Sequence, residues 1–267
     1  MIKTMILGAV QGLCEFLPVS SSGHLALFQI FFGYSDNLVA FDILLHFATL
    51  LAVVIFFWRD IWEILFDWFG GWFSKGKRSG WPYGWAIIIA TVVTAVIGLT
   101  LKPVVEKAAE NLLLVGTGEI FTAVVLLLVP VFSRRPSNSS LLAIALAVGF
   151  AQGIAVLPGV SRSGMSIAMG LFMGLSISEA FRFSFLISIP AILGATLLEG
   201  LSWLKDSGAV FLPEGWIYGA IIAFVLGLVS LKFMKGLVDA GKWAYFGLYC
   251  LIIGAVAVLF ALEVLHV

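Results

Sequence analysis

Charge is scarce in this chain. Of its 267 residues, 11% are Asp, Glu, Lys or Arg and 61% are hydrophobic, and mean hydropathy is +1.12. That balance excludes an ordinary soluble globular domain. Fifteen basic and fifteen acidic side chains cancel, so no cationic excess invites nucleic acid. Cysteine is nearly absent: Cys14 and Cys250 are too few for a disulfide framework or a thiolate metal centre. The opening Met-Ile-Lys-Thr-Met lacks a short apolar core followed by a small-residue cleavage site, so it reads as mature sequence rather than a signal peptide. What is left is an all-α polytopic membrane protein, a single membrane domain over 1–267.

Long apolar runs are plentiful. Six, at roughly 38–58, 83–101, 112–132, 181–200, 215–233 and 243–264, reach the ~20 residues that a transmembrane helix needs. Residues 59–82, 102–111, 133–140, 201–214 and 234–242 read as connectors. Trp58, Trp62, Trp81, Trp85, Trp216 and Trp243 fall near span ends, where indole rings act as interfacial anchors.

Two further apolar regions, 2–33 and 140–175, are interrupted by polar loops. The first break is Gln11-Gly12-Leu13-Cys14-Glu15-Phe16-Leu17-Pro18-Val19-Ser20-Ser21-Ser22-Gly23-His24, and the second is Leu157-Pro158-Gly159-Val160-Ser161-Arg162-Ser163-Gly164. A dozen helical residues at ~1.5 Å each extend only ~20 Å, short of the ~30 Å hydrocarbon core. Each region therefore reads as a re-entrant hairpin with its polar tip near the midplane; two short spanning helices are the alternative. Bare backbone at that depth survives only against protein or a water-filled cavity.

The two breaks resemble each other. Val10-Gln11-Gly12-Leu13 recurs 141 residues later as Ala151-Gln152-Gly153-Ile154, and the Pro-Val-Ser-Ser-Ser-Gly run echoes Pro158 to Gly164. Three spans follow each, so the second unit is upside down relative to the first. That is an inverted-topology repeat, roughly 1–135 and 136–267, with interrupted helices meeting at the midplane. Nine basic residues fall on the side reached after the first span (Arg59, Lys75, Lys77, Arg78, Arg134, Arg135, Lys232, Lys235, Lys242), against four on the N-terminal side (Lys3, Lys102, Lys107, Lys205). The positive-inside rule then puts both termini outside.

A carboxylate inside a membrane costs roughly 2.5–3.5 kcal/mol even on lenient scales and marks a functional site by default. Glu15 is such a group. Ser20, Ser21 or Ser22 can cap the helix after the first break, and Ser161 or Ser163 the helix after the second. Free N–H groups at such ends bind anions, and Arg162 adds a planar fork for phosphate. Gln11 and Glu15, four residues apart, share a helical face and could complete a Mg²⁺ or Ca²⁺ shell with phosphate oxygens. Glu15 could instead be a general base. His24 is a candidate nucleophile, acid or base, set opposite Glu15. His46, with Asp42 at i−4, reads as a satisfied polar pair outside the site, and Glu119 and Arg182 as interhelical pairing groups.

The first motif, Gln11-Gly12-x-x-Glu15-Phe16-Leu17-Pro18-Val19-Ser20-Ser21-Ser22-Gly23-His24, resembles the first signature of the undecaprenyl-diphosphate phosphatases of the bacitracin-resistance type. Pro158-Gly159-Val160-Ser161-Arg162-Ser163-Gly164-Met165-Ser166 is similar to their second, and the likeness runs over essentially the whole chain. The resemblance implies an enzyme of the cytoplasmic membrane that removes the terminal phosphate of a polyprenyl diphosphate, regenerating the lipid carrier for peptidoglycan and envelope glycans, with an outward-facing site. On matching positions it implies Glu15, His24, Ser21 and Arg162 as catalytic. It implies Gln11, Ser20, Ser22, Gly23, Gly159, Ser161, Ser163 and Ser166 as substrate-binding, and Glu15 and Gln11 as holding the divalent cation. The motif does not divide the labour between serine, histidine and water. Gln11 stands where the family often has Glu, which weakens a metal site; Ser22 and Ser166 stand where Thr is common, and Cys14 replaces a frequent Thr. A homodimer is left open. The rival class is a lipid-phosphate transporter or flippase, because inverted repeats with broken helices also build carriers; Glu15 and His24, which can transfer protons, favour chemistry.

Overall fold

The computed structural model describes the chain apart from residues 35–37, 75, 77, 79, 110, 134–138, 206–211 and 266–267. Lys75, Lys77, Arg134 and Arg135, part of the orientation count, lie outside the described residues. Those described form eleven helices and no strand: α1 (Ile2–Cys14), α2 (Ser21–Phe31), α3 (Val39–Phe56), α4 (Trp58–Phe73), α5 (Gly80–Ala109), α6 (Leu112–Phe132), α7 (Leu141–Ile154), α8 (Arg162–Phe172), α9 (Ile177–Lys205), α10 (Trp216–Asp239) and α11 (Trp243–Leu265). Six of these, α3, α5, α6, α9, α10 and α11, are long and apolar enough to cross a membrane, in the places the apolar runs indicate. The two polar breaks separate α1 from α2 and α7 from α8, and none of these four helices exceeds 14 residues.

Lipid is as apolar as leucine, so helices in a membrane are held by close packing rather than by the hydrophobic effect, and small residues at the contact permit it. Helix α1 packs on α10 in this way. A Cβ on Gly8 would lie 2.1 Å from the Gly219 carbonyl oxygen, and one on Gly12 would lie 2.6 Å from that of Ala223. Helix α7 packs on α5 by the same device, with Gly149 against Ala90 and Gly153 against Ile97. Helices α6 and α11 meet through Gly116 and Gly254. At the centre, Phe16 from the first break packs edge-on to Phe185 of α9 at 5.7 Å, and Phe57 and Phe181 complete the cluster.

Residues 59–82, expected from the sequence to be a connector, instead carry α4. Its charges are spaced so that Trp58, Trp62, Phe66, Phe69 and Phe73 line one exposed face. Trp68 stacks with Trp81 at 6.3 Å and meets Trp85 at 5.7 Å, tying α4 to α5. Arg182 of α9 reaches Asp60 at 2.6 Å and Glu63 at 3.9 Å, the interhelical pairing expected of it. Trp243 is not an interfacial anchor: it is 3% exposed, packed in the main core cluster. It opens α11 and turns inward, while Tyr245 beside it is 71% exposed.

Candidate active site

Each polar loop ends by starting a helix. Ser20 is the N-cap of α2, its Oγ accepting from the Gly23 N–H at 3.3 Å; Ser161 is the N-cap of α8, accepting from the Gly164 N–H at 3.1 Å. Of the hydroxyls open to this role in the sequence, these two fill it. Ser20 has φ +57°, a conformation that costs a non-glycine residue about 1–3 kcal/mol and persists only when its surroundings impose it. Here they do: the Ser20 carbonyl accepts from His24 Nδ1 at 2.8 Å.

The loops interlock. Ser163 Oγ donates to the Leu17 carbonyl at 3.1 Å, and Gly23 and Gly164 face Gly159 and Pro18 so closely that a Cβ on either would sit 3.2–3.3 Å from them. Gly159, at φ +81°, presses on the α6 backbone, where a Cβ would lie 2.0 Å from the Val115 carbonyl oxygen. Thr122 of α6 closes this seam, donating to the Gly159 carbonyl and accepting from the Ser161 N–H at 3.0 Å.

Across the seam lies an ion pair. Arg162 Nη2 donates to Glu15 Oε1 at 2.9 Å. Glu15 Oε2 accepts from Ser21 Oγ at 2.6 Å and from Gln11 Nε2 at 3.0 Å, with His46 Nε2 at 3.6 Å. The carboxylate is thus held by a charge and two donors, the form in which a buried ion is tolerated. Beside it runs a small cavity lined by Glu15, Phe16, Gln152, Arg162, Ser166, Ser184 and Ser188, among others.

Gln11, Glu15, Ser21 and Arg162 therefore meet, as the motifs suggest. Ser20, Ser161 and Ser163 lie in the loops around them, and Ser166 bonds the Arg162 carbonyl and the Ser184 hydroxyl. Ser22 is exposed and touches Ser20 at 3.3 Å. His24 does not face Glu15. Its Nδ1 binds the Ser20 carbonyl, its Nε2 lies 2.7 Å from the Tyr249 hydroxyl, and Glu119 stands 3.5 Å away. His46, which sequence reasoning sets aside as paired with Asp42, does face Glu15; its Nδ1 binds the Asp42 backbone carbonyl, while the Asp42 carboxylate accepts from Gln29. The signal was there: Asp42, His46 and Thr49 make a polar stripe at i, i+4, i+7, and Thr49 meets Gln11 at 3.4 Å. Ser184, Ser188 and Tyr249 carried no such mark.

For a cation the donor set is thin. Among the described residues no cluster of three or more His, Cys, Asp or Glu could hold a metal. Glu15 and the Gln11 Oε1, a buried acceptor with no hydrogen-bond partner, fit a hard oxygen-seeking ion whose shell is completed by water and phosphate oxygens.

The bacitracin resistance protein BacA family model matches residues 4–256. A protein of Treponema denticola named undecaprenyl-diphosphatase is 42% identical over 257 residues, covering 94% of each chain. Its namesake in Korarchaeum cryptofilum is 39% identical, covering 94% of this chain and 96% of its own, and that in Bacteroides fragilis is 38% identical with 96% of each covered. A likeness of that extent, running through both helix breaks and every span, leaves no room for a shared fragment alone: this chain belongs to the BacA family.

Proposed function

We propose that this protein is a membrane phosphatase that hydrolyses undecaprenyl, or a similar polyprenyl, diphosphate to the monophosphate and inorganic phosphate, returning the lipid carrier to peptidoglycan and envelope-glycan synthesis. Family membership and the shared name of its relatives support the reaction. The observation that carries it to residues is the Glu15–Arg162 contact, which joins two interrupted helices beside two serine-capped helix starts.

In this reading the diphosphate takes the Arg162 guanidinium and the loop donors around Ser161 and Ser163. Of the candidate nucleophiles, Ser21 is favoured: its hydroxyl already points at Glu15, whereas both ring nitrogens of His24 are engaged elsewhere. Ser21 Oγ attacks the terminal phosphorus as its proton passes to Glu15, and the lipid monophosphate leaves. Glu15 gives that proton to the departing lipid phosphate. A carboxylate again, it takes a proton from water, which attacks the phosphoserine, and returns that proton to Ser21 Oγ as inorganic phosphate leaves. Glu15 and Gln11 are the residues that would hold Mg²⁺ or Ca²⁺; such an ion, when bound, offsets the negative charge of the phosphate oxygens.

The same reading makes α1–α2 and α7–α8 re-entrant hairpins of an inverted repeat. Gly8 and Gly12 recur at the 141-residue offset as Gly149 and Gly153, and each pair packs against the corresponding span of the other half, α10 or α5. The Lys/Arg distribution supports termini outside and a site open to that side of the cytoplasmic membrane.

The test is phosphate release by purified protein from undecaprenyl diphosphate, with and without Mg²⁺ or Ca²⁺, beside Glu15→Ala and Arg162→Ala. Cation-dependent release lost in both folded variants supports the reading. Saturable binding of lipid phosphate without any release would move it to the transporter class.

A further inference from the structure

One buried acid has no part in this chemistry. Glu119 sits midway along the apolar helix α6, 0% exposed, and neither carboxyl oxygen has a hydrogen-bond partner. The Cys250 thiol lies beside it and also reaches the Pro18 carbonyl at 3.5 Å. The ion-pair partner that the described residues offer is His24, whose Nδ1 lies 3.5 Å from Glu119 Oε1. The backbone keeps the approach open, since a Cβ at Gly23 would lie 2.8 Å from that same oxygen. On the far side of the ring, Nε2 meets the Tyr249 hydroxyl at 2.7 Å, and the two rings stack 8° from parallel. Tyr249 is 40% exposed.

An unpaired carboxylate in an apolar interior is not tolerated as such: it is either protonated or matched by a positive charge. The other ionisable groups around this cluster are Cys14 from α1, Glu15 just past its end, and Tyr249 and Cys250 from α11, none of which is cationic. Glu15 is matched by Arg162. Among the described residues the imidazole is therefore the cation within reach. We propose that Glu119 and His24 hold one proton between them, and that Glu119 is a positioning residue that supports the imidazolium form of His24, with Tyr249 linking the pair to the surface. This is a second proton-handling centre, separated from Glu15 by the α2 start. Its logic is electrostatic: a negative charge beside an imidazole favours the ring's charged form.

The chain has three histidines, His24, His46 and His266, so ring-labelled protein gives a spectrum simple enough to assign by His46→Gln and His266→Gln. A pH titration of the His24 ring signal by NMR reads the pair directly, without substrate and independently of whether the phosphatase reading holds. In Glu119→Gln the His24 midpoint falls by at least one pH unit while His46 and His266 stay in place. Glu119→Asp, which keeps the charge, restores most of that shift. A midpoint that does not move in Glu119→Gln overturns the proposal. Should that variant not fold, the unaltered protein still decides: a His24 ring that gains no second proton above about pH 5 overturns the proposal. If turnover follows the same centre, the pH–rate profile of Glu119→Gln moves with the NMR midpoint.

Discussion

Removing Arg162 exposes how strongly the two helix breaks depend on each other. The Glu15 carboxylate is 5% exposed and has one strong cation, 2.9 Å away; Arg162 is 28% exposed. Breaking a buried ion pair from one side costs about 3–5 kcal/mol, because it strands the remaining charge. The partial exposure of Arg162 argues for the lower end, about 3 kcal/mol for Arg162→Met. Glu15→Gln leaves Arg162 able to turn to water and should cost about 1 kcal/mol, the worth of one lost hydrogen bond. In the double variant no charge is stranded, so stability should recover to within about 2 kcal/mol of the parent rather than fall by the sum. The assay is reversible unfolding in mixed micelles followed by tryptophan fluorescence, run as a double-mutant cycle. A coupling below about 0.5 kcal/mol would mean the two sites are independent, and would refute the argument that this pair fastens α1 to α8.

Ser21→Ala should lower turnover at least ~100-fold, the usual scale for an essential catalytic group, whereas Ser22→Ala, on an exposed hydroxyl, should change it less than ~3-fold; equal losses would contradict the assignment. Chelation should abolish phosphate release and added Mg²⁺ or Ca²⁺ restore it, and Gln11→Glu should shift the cation requirement to lower concentration, since it replaces a neutral oxygen with a carboxylate. Unaltered release in chelator would remove the cation from the scheme. Gly8→Val and Gly149→Val should each cost about 1–3 kcal/mol or more from overpacking, seen as loss of the monodisperse peak in size-exclusion chromatography; Gly194→Val, where nothing lies within 4 Å of an added Cβ, should not.

Most of the architecture could be read from the chain because the bilayer imposes a length. Runs of about twenty apolar residues became α3, α5, α6, α9, α10 and α11, and polar breaks became loops. Helix α4 escaped because Arg59, Asp60, Glu63 and Asp67 suppress the apolar signal while leaving an aromatic face intact. In the site, Gln11, Glu15, Ser21 and Arg162 were legible because polar groups in lipid need a reason to be there. The direction of His24 was not. Its place on α2 follows from the sequence, but its neighbours Glu119 and Tyr249 arrive from α6 and α11, and only tertiary packing brings them there. His46 escapes local reasoning for a related reason: a partner at i−4 satisfies only its Nδ1, and its other nitrogen faces Glu15.

The partners of the first break are also late in time. Glu15 is 147 residues ahead of Arg162, and α1 rests on α10, which begins at Trp216. During synthesis the first two helices, each too short to cross, leave the ribosome with a carboxylate that has no cation and a small-residue face that has no neighbour. Those partners arrive only once most of the chain has been made. Contacts so distant in sequence form slowly. A nascent chain stopped before residue 162 would thus present Glu15 without its guanidinium, a mark by which membrane quality control could recognise an unfinished product.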